Sequence, residues 1–382
     1  MMNPKERVKA AINKQPVDKT PLGLYFADHD IISKVIGRKT ILRNKPEWQR
    51  AMWEGRRDEA VDAAKQDIVD FYRKLDCVDL VTTKEAVRVP PKGHTPENPP
   101  RRIDANTYRD DARKGVWKLE PGANDVMFFP DDTSFKEHQV EEYASRELPP
   151  VPDPSEFELM DYLAEQLGDE RYMMLGNFEC VSYTPLDGTV NALMTMALYP
   201  EVMQACNAQL LFQQNAVDQY TIRPWADGIL IERDMAGTNG PLMSPDMFRE
   251  QCLPYLKARL QHMRKFCQQV VMHNCGNTLP LLDLFIEAGI DGYQSIQTTS
   301  AMSISALRKK SNDRLSVWGA VPLEVLIEGT PDDVRKTVRS CFEEADGFPG
   351  FILGPSHSIA YGTKYENFMA LLDEFVRQRD RF

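Results

Sequence analysis

The sequence predicts an α/β protein built as a single TIM-type (β/α)8 barrel. Three observations support this fold: eight short apolar runs recur along the chain, longer amphipathic or capped stretches separate them, and no internal repeat is present. Most of the runs are continuously apolar, as in VVMHNC and FILGPS, which is typical of parallel strands buried on both faces. Eight parallel strands favour a closed barrel, which we expect to span residues 1–382 as one domain.

The strands and helices are assigned in order from these runs and from helix N-terminal signals. Ser244-Pro245 and Thr330-Pro331 each combine a capping side chain with a proline in the first turn, so we expect a helix to begin at both places. The apolar faces of these helices should pack against the outside of the barrel. The eight strands are predicted at residues 21–26, 77–82, 172–179, 228–234, 269–275, 292–297, 315–321 and 350–356.

One connection breaks the alternation, between residues 84 and 150. Five prolines between positions 90 and 100, an Arg- and Tyr-containing stretch that ends at Trp117 and a second proline cluster stand where a helix should follow the second strand. A long excursion in a compact domain usually serves as a lid or a binding loop. We therefore predict an inserted hairpin, residues 84–150, that covers one mouth of the barrel.

Composition excludes several classes of function. The chain has 46 Lys and Arg against 57 Asp and Glu, and its net charge of −11 would repel a nucleic-acid backbone. No stretch approaches the roughly 20 apolar residues of a membrane span, and the start has no signal-peptide core, so we expect a cytoplasmic protein. Seven scattered cysteines favour reduced thiols, of which one or two at most should carry chemistry.

Polar side chains end several predicted strands at one mouth, which is where barrel enzymes build their active sites. His273 and Cys275 lie two residues apart on the fifth strand, so both should face the barrel interior, although buried His and Cys are also common core residues. With His357 beyond the last strand, they offer three ligands and one open position, as in catalytic zinc sites. Glu179 or Asp234 would substitute if His357 is not a ligand. The whole ring comprises Tyr25, Asp28, Glu179, Asp234, His273, Cys275, Gln297 and His357.

Several long segments resemble the uroporphyrinogen decarboxylase superfamily, over nearly the whole chain. They include MNPKERVKAAINKQPVDKTPLGLY, DGILIERDMAGTNGPLMSPDMFREQCLPYLK, VVMHNCGNTLPLLDLFIEAGIDGYQSIQ, LSVWGAVPLEVLIEGTPDDVRKTVRSC and GFILGPSHSIAYGTKYENFMALLDEF. The resemblance implies a single (β/α)8 barrel. The decarboxylases of this superfamily carry an Arg-rich segment after the first strand, whereas no Arg lies between Thr20 and Ile32 here. A substrate with many carboxylates would be held poorly, which disfavours uroporphyrinogen decarboxylation.

A second branch of the superfamily, the corrinoid-dependent methyltransferases, is similar at the fifth strand. In that branch the His-x-Cys motif binds zinc together with a Cys from the loop after the eighth strand. His273 and Cys275 match the motif, while GPSHS offers His357 in place of the second Cys. A zinc ion bound by one thiolate and two imidazoles has a formal charge of +1. Such a cationic site would stabilise the negative charge that forms on the oxygen of an ether when its methyl group is removed.

The resemblance implies a zinc- and corrinoid-dependent methyltransferase with a corrinoid partner protein. The cationic zinc site and the few cations at the mouth add the expectation that the methyl group moves from a small donor, an aryl methyl ether, to cobalt(I) of that partner. Tyr25 and Phe178 would form apolar walls, and Asp234, Asn239 and Gln297 would hydrogen-bond the ring substituents. Three alternatives remain: a methylcobalamin:thiol methyltransferase acting on coenzyme M or a similar thiol, a uroporphyrinogen-type decarboxylase, and a non-catalytic barrel that binds a tetrapyrrole or corrinoid partner. A homodimer is compatible with the superfamily.

Overall fold

A computed structural model describes residues 1–181, 183–184 and 186–380, and eight parallel strands form its central sheet. In spatial order they are β1 (Gly23–Leu24), β2 (Leu80–Thr82), β7 (Tyr172–Glu179), β8 (Gly228–Glu232), β11 (Val270–His273), β12 (Gly292–Gln294), β13 (Ser316–Val321) and β14 (Phe351–Pro355). A parallel bridge between Leu22 and Leu353 joins the first strand to the last. The predicted eight-stranded barrel is confirmed, with most strands shorter than the apolar runs that predicted them.

The α-helices of the described residues surround this sheet. Ser244 Oγ accepts a hydrogen bond from Met247 N–H at 3.1 Å, which confirms the predicted helix start. The helix ends near Cys252 and a second one begins, because Pro254 lacks an N–H and its ring would clash with a preceding carbonyl. The helices are α1 (Pro4–Ile12), α2 (His29–Ile36), α3 (Lys45–Trp53), α4 (Arg57–Lys74), α5 (Glu158–Leu167), α6 (Thr189–Leu198), α7 (Pro200–Thr221), α8 (Pro245–Gln251), α9 (Leu253–Met263), α10 (Leu282–Ala288), α11 (Ile304–Ser311), α12 (Leu323–Ile327), α13 (Pro331–Ala345) and α14 (Tyr365–Gln378).

Two apolar cores result, one between the strands and the helices and one inside the barrel. The inner core includes Trp318, whose indole N–H donates to Gly23 O at 3.1 Å. A side chain at Gly23 would lie 2.6 Å from that indole, so only glycine fits there. Helix α1 packs on the inner core, and its Lys9 carbonyl accepts a hydrogen bond from Gln269, next to the start of β11. Helix α1 therefore closes the N-terminal end of the barrel, which leaves the C-terminal end for ligands.

The insertion after β2 contains a four-stranded antiparallel sheet, not a single hairpin as the sequence predicted. Its strands are β3 (Arg101–Arg102), β4 (Thr107–Asp110), β5 (Gly115–Glu120) and β6 (Asp125–Pro130). The sheet docks on α3: the Trp53 and Tyr108 rings lie 4.7 Å apart. The buried Asn124 amide pairs with the main chain at the start of α3: it accepts from Lys45 N–H and donates to Arg43 O, both at 3.0 Å. No helix in the described residues is both long and apolar enough to cross a bilayer.

Candidate metal centre

Three potential metal ligands meet at the C-terminal end of the barrel. His273 ends β11, Cys275 lies in the loop just beyond that strand, and His357 follows β14. Their ligand atoms all lie within 4.8 Å of one another, and Cys275 Sγ is 3.5 Å from His273 Nε2. The strand ends at His273 and does not include Cys275 as predicted, yet the turn still delivers both side chains to one place. Two imidazoles and one thiol are the donor types that zinc prefers.

The hydrogen bonds of both imidazoles are compatible with metal binding at Nε2, and for His273 the partner fixes the tautomer. His273 Nδ1–H donates to the buried Gln294 Oε1, which leaves the Nε2 lone pair directed toward Cys275. His357 Nδ1 lies 3.0 Å from Ser358 Oγ, so its N–H can donate to that hydroxyl and leave Nε2 available. Histidine ligands of metals usually have such a hydrogen-bond acceptor at the other ring nitrogen, as His273 has in Gln294.

Burial determines the protonation of the three side chains. It lowers the pKa of His273, and it lowers the pKa of His357 to about 4, with the adjacent His273 adding to the effect. Both imidazoles are therefore neutral near pH 7. Burial and the nearby Asp234 carboxylate together raise the pKa of the Cys275 thiol to about 12. The thiol thus keeps its proton until a cation displaces it.

Asp234 and Gln297 support the loop that carries Cys275. Asp234 Oδ1 accepts from Cys275 N–H at 3.0 Å, and Gln297 Oε1 accepts from Gly276 N–H at 2.9 Å. Gly276 has a φ of +80°, and an added Cβ would lie 2.5 Å from Ala236 O, so the turn requires glycine. The two predicted substrate contacts therefore bind the main chain around Cys275, although Asp234 remains exposed.

A network at the mouth includes two residues that the sequence analysis missed. The Tyr25 ring stacks on His273, with centroids 4.3 Å apart, and its hydroxyl donates to Glu232 Oε2 at 2.6 Å. Lys84 forms an ion pair with the other oxygen of Glu232, and its cation lowers the pKa of this carboxyl despite burial. Lys84 and Glu232 lie at the ends of the second and fourth strands. A search of every strand end for charged residues would have found both.

Comparison with known proteins agrees with this architecture. A sequence profile of the uroporphyrinogen decarboxylase (URO-D) family matches residues 174–378, which is more than half of the chain. The chain belongs to the uroporphyrinogen decarboxylase family. The predicted family resemblance is thus confirmed.

Named relatives of this URO-D family chain are methyltransferases. The methylcobamide:CoM methyltransferase MtbA of Methanosarcina acetivorans is 22% identical over 376 residues, which cover 97% of this chain and 96% of the relative. The protein of the same name from Methanosarcina mazei is 21% identical and covers 90% of each chain. A solved structure of a methyltransferase from Methanosarcina mazei has a TM-score of 0.65 at 18% identity and 99% coverage of both chains, which shows a shared fold.

Three other predicted site residues of this URO-D family barrel lie away from the cluster. The ladder between β7 and β8 shifts register between Leu175 and Phe178, so Phe178 packs into the outer core and does not form a wall beside His273. Glu179 pairs with Arg233 and not with the cluster. Asn239 is exposed in the turn between the short strands β9 (Ala236–Gly237) and β10 (Gly240–Pro241).

Proposed function

We propose that this URO-D family protein is a corrinoid-dependent methyltransferase that takes a methyl group from an aryl methyl ether at a zinc site formed by His273, Cys275 and His357. The observation that carries the proposal is the convergence of these three donor atoms within 4.8 Å at the open end of the barrel. The names of the relatives support transfer of a methyl group between a corrinoid and a small molecule. The acceptor would be cobalt(I), carried by a separate corrinoid protein.

The donor set fits zinc on three counts. Nitrogen and sulfur ligands are those that zinc selects, the hydrogen bond to Gln294 leaves His273 Nε2 as the free nitrogen, and both imidazoles are neutral. Three protein ligands leave a position for substrate. A bound zinc ion with formal charge +1 would supply a Lewis acid that stabilises negative charge on the oxygen of a departing ether.

The surrounding side chains would position the donor and limit water. Tyr25 lies flat on His273, and the Phe26 ring meets His357 edge-on with centroids 5.8 Å apart, so two aromatic rings flank the ligands. An aryl ring of the donor would contact the edges of these rings, since His273 covers one face of Tyr25 and the Arg43 guanidinium lies 4.0 Å from the Phe26 centroid. Asp234 remains exposed beside the loop of Cys275 and is available for a hydroxyl of the donor.

A second candidate is transfer in the other direction, from a methylated corrinoid to a thiol. The names of both relatives favour it, since each is called a methylcobamide:CoM methyltransferase. The structure offers His357 as the third ligand, and one thiolate with two imidazoles makes a more cationic zinc site than two thiolates with one imidazole would. A cationic site favours the ether reaction, because it binds a departing oxygen anion more strongly.

The decisive experiment offers both reactions to the same protein. The zinc-loaded protein is mixed with a cobalt(I) corrinoid and a panel of methoxyaromatics, and methyl transfer is followed through the corrinoid absorption spectrum. In parallel it receives methylcobalamin and 2-mercaptoethanesulfonate. We expect ether-dependent methylation of the corrinoid, and we expect Cys275→Ala to abolish it. The control is Cys77→Ala, which removes a thiol at the opposite end of the barrel and should keep the activity. Thiol methylation without any ether reaction would select the second candidate, and decarboxylation of uroporphyrinogen alone would reject both.

A further inference from the structure

The last residue of β12, Gln294, and the residue after it, Ser295, each contact one of the candidate metal ligands. Gln294 Oε1 accepts from His273 Nδ1–H, and Ser295 Oγ lies 3.4 Å from Cys275 Sγ. Both residues are fully buried. Neither was singled out by the sequence analysis, in which GYQSIQ was only the predicted sixth strand.

Regular strand geometry would not allow both contacts. Successive side chains of a strand point to opposite faces. Tyr293 packs in the outer core and Gln294 reaches inward to His273, so Ser295 should point outward again. Its φ is instead +84°, in the left-handed region that residues with a Cβ rarely adopt. This turn of the backbone brings the Ser295 hydroxyl to the same side as the Gln294 amide.

Strained backbone is kept where the surrounding structure or the function requires it. Glycine would adopt this φ without strain, yet position 295 carries a hydroxyl side chain. In the part of the chain that the structure describes, the hydroxyl contacts the Cys275 sulfur, and either atom can donate the hydrogen bond.

We propose that Gln294 and Ser295 are positioning residues of the metal centre: Gln294 fixes the tautomer and orientation of His273, and Ser295 holds the Cys275 sulfur by a hydrogen bond that requires its left-handed backbone. The inference rests on the proposed metal site and deepens it. It explains why the last residue of β12 and the residue after it contact two different candidate ligands, His273 on β11 and Cys275 in the following loop.

Variants of the intact protein separate this role from a structural one. Ser295→Gly and Ser295→Ala both remove the hydroxyl, but only the first relieves the backbone. Outer-sphere partners of metal ligands typically change metal affinity by about 10–100-fold, so we expect both variants to weaken zinc binding by about tenfold or more in a chelator competition. The matched control is Ala301→Gly, because Ala301 also has a positive φ, of +59°, but is exposed and lies outside the site. It should leave zinc affinity unchanged.

Two spectroscopic measurements report on positioning directly. With Co²⁺ in place of zinc, the thiolate-to-metal absorption band should shift in Ser295→Gly and not in Ala301→Gly. In the metal-free protein, ¹⁵N NMR of labelled histidines should show His273 protonated at Nδ1 in the wild type and a mixture of tautomers in Gln294→Met. Gln294→Glu, which keeps the acceptor, should restore the Nδ1–H form.

The outcomes distinguish this inference from the function on which it rests. If the wild type binds zinc, but Ser295→Gly, Ser295→Ala and Gln294→Met bind it within about twofold of wild type and keep the same cobalt spectrum and tautomer, the positioning role is wrong and the proposed function stands. If the wild type binds neither Zn²⁺ nor Co²⁺, the metal centre is wrong, and the proposed function fails with it.

Discussion

Strands β7 and β11 lie two positions apart in the barrel and both end at its mouth, but they present their side chains differently. On β11 the side chains alternate regularly. Val271 faces the inner core, and His273, two residues later, lies on the same face and joins the candidate metal centre. On β7 the register shift between Leu175 and Phe178 adds a residue, and Phe178 turns to the helices. The extra residue on β7 thus changes which face Phe178 occupies, whereas regular pairing on β11 keeps His273 on the inner face.

The largest difference between the two strand ends should be in metal binding. We expect His273→Ala and Cys275→Ala each to lower zinc affinity by about a thousandfold or more, because each removes one of three protein ligands. Phe178→Ala and Glu179→Ala should leave it within about twofold, because neither side chain reaches the cluster. Elemental analysis and competition with a chromophoric chelator measure this. Equal loss of zinc in the β7 variants would contradict the distinction between the strands.

The pH dependence of metal binding sharpens the comparison. Cys275, just beyond β11, must lose its proton to bind zinc, whereas Phe178 on β7 has no proton to lose. The pKa of Cys275 is raised to about 12 and that of His357 is lowered to about 4, so between pH 6 and 8 the thiol is protonated in the metal-free protein and His357 is neutral. Binding should release one proton, and affinity should rise about tenfold per pH unit, or about a hundredfold from pH 6 to 8. Titrations in two buffers of different ionisation enthalpy count the protons. A slope near zero would mean that Cys275 is not a ligand.

Phe178 should matter for stability instead of function. Its ring is partly buried against the outer core, and the Arg259 guanidinium lies 6.0 Å from its centroid. Truncation in Phe178→Ala should lower the free energy of unfolding by about 1–3 kcal/mol, less than for a fully buried ring. Denaturant unfolding of the metal-free protein provides the value. A loss of methyl transfer with unchanged stability would place this ring at the substrate after all.

The smallest effect is expected at the turn between β9 and β10. Asn239 is exposed there. Asn239→Ala should change neither zinc affinity nor the unfolding free energy by more than about 0.5 kcal/mol, as is usual for surface positions. If it instead raises the KM for a methoxyaromatic donor and leaves kcat unchanged, this turn contacts the substrate.

Much of this architecture follows from residue patterns. Eight apolar runs predicted the barrel because strands buried on both faces need continuous apolar sequence, and His273 and Cys275 were found because strand ends meet at one mouth. The packing of Phe178 against the outer core could not be predicted, since a register shift leaves no mark in composition. Ser295 was missed for a related reason: a left-handed φ at a residue other than glycine cannot be read from the residue itself.

Asn124 has a mechanical consequence for the insertion. Its side-chain amide reproduces the donor and acceptor of a peptide group and pairs with the main chain of Arg43 and Lys45. The four-stranded sheet is also joined to α3 by Arg50, which donates to Ala105 O at 3.1 Å and to Asn106 Oδ1 at 2.7 Å, and by the contact between the Trp53 and Tyr108 rings. Because all of these contacts are made on α3 or at its start, the sheet and α3 should move as one rigid body. Asn124→Ala would remove one of the contacts and leave the others in place.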